Sequence, residues 1–175
     1  MATTVEIPFE LDMIDPTNAN FYWTNINGPL WYQSVYRFEK VNLPASPSGD
    51  GISTWKINIP KNIAGTPAWN VVLHHSNSSG AAGRVLLRGE AVVLGSGDTP
   101  AAMTTIVPNQ LIGVDASGDR NVTVLTGTNF DSLVPLTAGE DLHLRLIRIP
   151  KNSSGDSLTK GWDLNLAPIL RVDVA

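Results

Sequence analysis

The chain has 175 residues, no cysteine and a formal net charge of −4, from 12 Lys and Arg against 16 Asp and Glu. Disulfides and thiolate metal sites are excluded, and basic residues scattered singly argue against a nucleic-acid or anionic-lipid surface, which needs a clustered basic patch. Only 16% of residues are charged, below the roughly 25% of an average soluble domain, which points to a surface partly covered by partners.

Such a length suits one domain over residues 1–175, able to bury a core without staples. In the N-terminal run, Val5, Ile7, Phe9, Leu11 and Met13 alternate with polar residues, which predicts a strand with one buried face. Pro8 cannot donate to a ladder, so it belongs at an edge or a bulge. Residues 1–13 thus read as an edge strand or as an arm pairing with a neighbour. This run lacks the basic and apolar regions of a secretory leader, and no stretch approaches the 18 or so apolar residues of a membrane span.

An Asp15-Pro16-Thr17-Asn18 turn leads to the aromatic run Phe21-Tyr22-Trp23, a turn at Asn27-Gly28-Pro29, and a long predicted strand over 31–43. Two strands follow, with Trp55, Ile57 and Ile59 on one face of the first and Trp69, Val71 and Leu73 on one face of the second. The next long strand, 84–94, sends Val85, Leu87, Ala91 and Val93 one way and Leu86, Arg88, Glu90 and Val92 the other. Pro108 predicts a bulge in the strand over 103–113. Short strands follow at Asn121–Gly127 and in LHLRLIRI, and DLNLAPILRVDV reads as the last strand. IPKNIAG and IPKNSSG echo each other after two strands, as expected where Pro stops a strand and Lys-Asn opens a turn.

No window shows a helical period over two turns. About eight to ten strands separated by Gly, Pro and Asn turns predict an antiparallel β-sandwich, with a jelly roll as the leading topology and an immunoglobulin-like sandwich as the alternative.

Catalytic chemistry finds little footing. His74 and His75 are neighbours on a strand and point to opposite faces, so they do not readily ligate one metal, and His143 stands apart. Asp98, Asp115, Asp119, Asp131, Asp141 and Asp156 fall in turns, where side-chain capping of the backbone accounts for them; the spaced oxygens of a calcium loop are missing. Glycosidase chemistry needs two opposed carboxylates, and Glu90, the one acid within an apolar run, is either buried and perturbed or, as is commoner, turned to solvent. Nucleophile elbows and phosphate-cradling loops are absent. The expectation is a protein that is not an enzyme and uses no cofactor or metal.

Two groups are candidates for holding a partner. Val5, Ile7, Phe9 and Leu11 sit on a strand whose open edge invites pairing. Trp23, Trp31 and Tyr32 belong to the densest aromatic group, which either fills the core or exposes rings that stack on sugar or anchor a protein.

From Trp55 onward, WKINIPKNIAG with TPAWNVVLHHSNSSGAAGRVLLRGEAVVLGSGD, and later AGEDLHLRLIRIPKNSSGDSLTKGWDLNLAPILRVDV, the chain resembles bacteriophage jelly-roll virion proteins. In that pattern Ala-Gly-Glu-Asp opens a strand ending in Arg148, and an acid, here Asp156, follows in the loop. The resemblance implies a homotrimeric capsid decoration (cement) protein, made in the host cytoplasm and seated on the virion's capsid surface, where it clamps the major capsid protein. Its alternative is a receptor- or carbohydrate-binding module of a tail fibre or spike, with a glycan as partner. Neither implies nucleic acid or membrane.

Overall fold

The alternating rows read in the sequence are realised as two antiparallel sheets packed face to face. A computed structural model describes residues 3–13, 21–25, 34–38, 51–63, 65–77, 82–99, 102–116, 120–127, 130–149, 155–158 and 161–174. In chain order the elements are β1 (Thr3–Pro8), β2 (Glu10–Met13), β3 (Phe21–Asn25), β4 (Ser34–Phe38), β5 (Gly51–Asn58), β6 (Trp69–Asn77), β7 (Gly83–Leu94), β8 (Thr104–Val114), β9 (Asn121–Val124), α1 (Phe130–Leu133), β10 (Asp141–Arg148), β11 (Trp162–Leu164) and β12 (Ile169–Val174). One sheet has seven strands, in the order β1-β12-β6-β11-β4-β3 with β9 also on β6; the other runs β2-β5-β10-β7-β8. Most connections cross between the sheets, as a jelly-roll-type sandwich requires.

The twelve strands among the described residues exceed the sequence expectation because two long runs are each divided. The N-terminal alternation continues unbroken through Phe9, but the chain changes sheets there: β1 pairs with β12, and β2 pairs with β5. Both inner faces look into one core, so the same alternation serves both sheets. Pro8 closes β1 at the sheet's edge, as its missing N–H demands. The last run is divided at Asn165–Pro168, and its halves β11 and β12 lie in line along one edge of β6. Val72 and His75 pair on that side and also with β9, so β9 occupies the other edge. The two interruptions meet: Phe9 N donates to Pro168 O at 2.8 Å.

The predicted inner rows hold. Trp55, Ile57 and Ile59, then Trp69, Val71 and Leu73, then Val85, Leu87 and Ala91 are all buried in one hydrophobic cluster. Tyr36 of β4 reaches this core and meets Trp55 edge-on, with ring centroids 4.8 Å apart. The expected bulge around Pro108 appears as a register shift between β7 and β8, where Leu87 pairs with Gln110 and Gly89 with Val107.

Three readings of the acids are corrected. Asp131 lies in α1, and Asp141 opens β10, where it accepts from Asn58 Nδ2 at 3.0 Å. Asp156 is not a turn cap: its side chain is fully enclosed and paired with the equally enclosed Arg148, at 3.0 Å. Arg148 continues the inward row Leu142, Leu144, Leu146 at the end of β10. Its remaining N–H groups donate to Phe38 O and Leu158 O, both at 2.9 Å. Leu86 N adds a third donor to Asp156. A buried pair is tolerated when its hydrogen-bonding groups are met in this way. Asp98 does behave as expected, accepting from Gly95 N at 2.7 Å. Among the described residues, no helix is long and apolar enough to cross a membrane.

Candidate functional site

Among the described residues, a candidate site lies where the β9–β10 connection folds back over the start of β6. β6 is a central strand, so Trp69 points into the core while Asn70 points outward beside it. The Trp69 indole donates to Val134 O at 3.0 Å and meets Phe130 of α1 edge-on, with ring centroids 5.0 Å apart. α1 is a single turn, too short to stand alone, and this packing holds it in place. The opposite rim, residues 124–127, is bound from two sides. Leu125 N donates to Val71 O at 2.8 Å, and Thr126 N donates to the Gln110 side chain at 2.9 Å.

Between these walls is a cleft of about 260 Å³, lined by Trp69, Asn70, Val124, Thr126, Phe130 and Asp131, among others. Gly127 on its rim must lack a side chain, because a Cβ there would lie 2.1 Å from Ile106 O and 2.2 Å from the Phe130 ring. Of the lining residues, Asn70 has its Oδ1 enclosed and without a hydrogen-bond partner. Buried polar atoms are nearly always bonded, and leaving one unpaired costs about 1–3 kcal/mol. Asn70, Asp131 and Thr126 thus put an amide, a carboxylate and a hydroxyl among the lining residues of an aromatic-edged recess. Its volume lies below the roughly 300–1,000 Å³ of drug-sized sites, so it suits a single small ring. A second groove, about 310 Å³, lies on the other side of α1 against Leu133, Pro135, Val92 and Glu140.

The sequence candidates are placed differently. Phe9 is buried in this chain's own core, and Val5, Ile7 and Leu11 pack against it. Among the described residues, β1 and β2 each end their sheet. Trp23 lies on β3, paired with Tyr36. Trp31 and Tyr32 lie outside the described residues. Asn70, Thr126 and Asp131 were not singled out as binding residues; the only hint was that Asn70 alternates with Trp69 and Val71.

The histidines take opposite faces, as the strand geometry predicts. His75 is buried against Trp162, with ring centroids 5.5 Å apart, and shares a 2.8 Å hydrogen bond with the Thr123 hydroxyl. Burial, and then repulsion from His74, push its pKa down to about 4. On the outer face, His74 Nδ1 accepts from Arg120 Nε at 2.9 Å. Its pKa is lowered by burial and then by Arg120, with Glu6 opposing. His143 Nδ1 sits 3.3 Å from Asp12, on the outer face of the five-stranded sheet. No group of three or more His, Cys, Asp or Glu that could hold a metal occurs among the described residues.

No protein-family model matches the chain, and no curated protein matches it. Solved structures similar to it include an isomalto-dextranase from Arthrobacter globiformis T6 in complex with panose, at 17% identity and a TM-score of 0.45. That match covers 96% of this chain but 23% of the other, so this chain spans about a quarter of that enzyme. A second is TmCBM61 in complex with β-1,4-galactotriose, at 9% identity and a TM-score of 0.37, covering 94% and 86% of the two chains. A third is the stem and receptor-binding domain of spike protein P1 from bacteriophage PM2, at 15% identity and a TM-score of 0.28, covering 70% and 56%.

Proposed function

We propose that the protein is a non-catalytic carbohydrate-binding module that serves as a receptor-binding part of a virion tail fibre or spike, with its ligand site in the β6–α1 cleft. One observation carries the reading: Asn70 Oδ1 is enclosed and unpaired in a preformed recess edged by Trp69 and Phe130. A sugar presents hydroxyl donors for the Asn70 oxygen and the Asp131 carboxylate, and a C–H face for the apolar wall. Because both walls are tied to the sheets by hydrogen bonds, little order has to be imposed on binding. Glu90, the one carboxylate in an apolar run, accepts hydrogen bonds from Arg145 rather than facing this cleft.

The test is a glycan-array screen followed by calorimetric titration of the best ligand. Wild type binds, and Asn70→Ala and Asp131→Ala each weaken binding about tenfold or more, the value of a lost hydrogen bond. Unchanged melting temperatures would show that the variants still fold. A broad panel without a ligand, or affinity indifferent to both substitutions, overturns the reading.

A second reading, the homotrimeric decoration protein on the major capsid protein, draws on β1 and β2, which end the two sheets among the described residues. Unpaired strand edges favour strand-to-strand association. Its test is copy number on purified particles, expected in multiples of three, together with loss of occupancy when residues 1–13 are deleted.

A further inference from the structure

The outer face of the five-stranded sheet carries a charged row. Register places Thr54 of β5, Arg145 of β10, Glu90 of β7 and Thr105 of β8 side by side. At about 4.8 Å per strand the row spans roughly 14 Å. Glu90 accepts from Arg145 Nε at 2.7 Å and from Arg145 Nη2. Arg88, two residues back on β7 and on the same face, brings its Nε to 3.2 Å from Glu90 Oε1. That Nε has no hydrogen-bond partner.

Exposure separates the signs. The Arg88 and Arg145 side chains are 38% and 39% exposed, while Glu90 is 9% exposed. Solvent therefore meets two guanidinium groups over a sunken carboxylate, with exposed Arg84 further along the same face of β7. In the neighbouring row Asp12 lies between Lys56 and His143, and Glu10 pairs in register with Lys56, so acids outnumber lysines there. The local excess is positive on a chain whose net charge is −4.

We infer that this row is a second binding site, which takes the carboxylate of an acidic sugar, a uronic or sialic acid residue. The inference rests on the glycan-binding reading above and names a ligand class for a different face. Arginine forks match planar carboxylates, and Glu90 already occupies one such fork. The hydroxyls of Thr54 and Thr105 flank the forks, where the ring hydroxyls of a bound sugar would lie. Glu90 holds the forks in position and competes with the ligand.

Titration of the full chain with sialyllactose against lactose, and with trigalacturonate against its neutral galactose counterpart, tests this. Each acidic sugar binds at least tenfold more tightly than its neutral partner, and added salt erodes the difference. Arg88→Gln and Arg145→Gln remove that preference without affecting neutral ligands, and Glu90→Gln strengthens acidic binding. Equal affinity for acidic and neutral sugars, or indifference to Arg88→Gln and Arg145→Gln, overturns the inference. Equal competition by polyglutamate also overturns it, because the row would then read any anion. Neutral binding that depends on Asn70 can survive that failure. Acidic binding that depends on Arg88 can survive the failure of the cleft. The two claims therefore fail separately.

Discussion

Arg145 and Arg148 lie three residues apart on β10, and each pairs with a carboxylate, yet they do different work. Arg148 points inward, is fully enclosed with Asp156, and spends its N–H groups on Asp156, Phe38 O and Leu158 O. Arg145 points outward to Glu90 and keeps part of its guanidinium in solvent. The β6–α1 cleft is a third case, with an enclosed amide oxygen that is not bonded. A buried polar group with its bonds met belongs to the fold. One left unmet in a recess, or half exposed on a face, is available to a ligand.

The sharpest way to break this contrast is to cut both pairs. Asp156→Ala strands a buried guanidinium and is expected to cost about 3–5 kcal/mol of unfolding free energy by chemical denaturation. The double replacement Arg148→Met with Asp156→Leu is expected to recover much of that loss, because both charges leave together. If Asp156→Ala were neutral, the enclosed pair would not be holding this end of the core.

Acid should weaken the inner face next. The folded-state pKa of His75, about 4, lies below the ordinary value of 6.5, so the unfolded chain takes up its proton first. Its contribution is complete above about pH 6.5 and is lost as the pH falls toward 4, on the order of 3 kcal/mol in all. Denaturant midpoints measured from pH 7.5 to 4.5 should fall for wild type and fall less for His75→Gln.

Smaller effects follow at the cleft and on the outer face. Gly127→Ala drives a methyl group into Ile106 O and the Phe130 ring and is expected to cost about 1–3 kcal/mol. Glu90→Gln should change stability by about 1 kcal/mol or less, since its guanidinium partners are partly solvated. A loss from Glu90→Gln as large as that from Asp156→Ala would erase the distinction between the two faces.

The sandwich was legible because period-two alternation survives even where the chain changes sheets, as it does at Phe9. Strand number was less legible: nothing in the alternation marks Phe9 as a crossing, and the break at Asn165–Pro168 shows only as Ala-Pro within an apolar run. Asp156 read as a turn residue because its partner, Arg148, sits eight positions away behind a Ser-rich loop, and pairing across a loop has no local signature. The cleft was hidden for a similar reason. Asn70 on β6 meets Thr126 and Asp131 of the β9–β10 connection only through tertiary packing, and each alone looks like an ordinary polar residue. The sequence candidates Val5, Ile7, Phe9 and Leu11 were legible as apolar, but alternation does not say whose core they enter.

The most direct test pairs affinity and stability on one variant, Asn70→Ala. Its enclosed oxygen makes no hydrogen bond in the free protein, so unfolding free energy should stay within about 1 kcal/mol of wild type, while glycan affinity falls about tenfold or more. Stability that drops while glycan affinity stays unchanged would contradict the account and make Asn70 a structural residue.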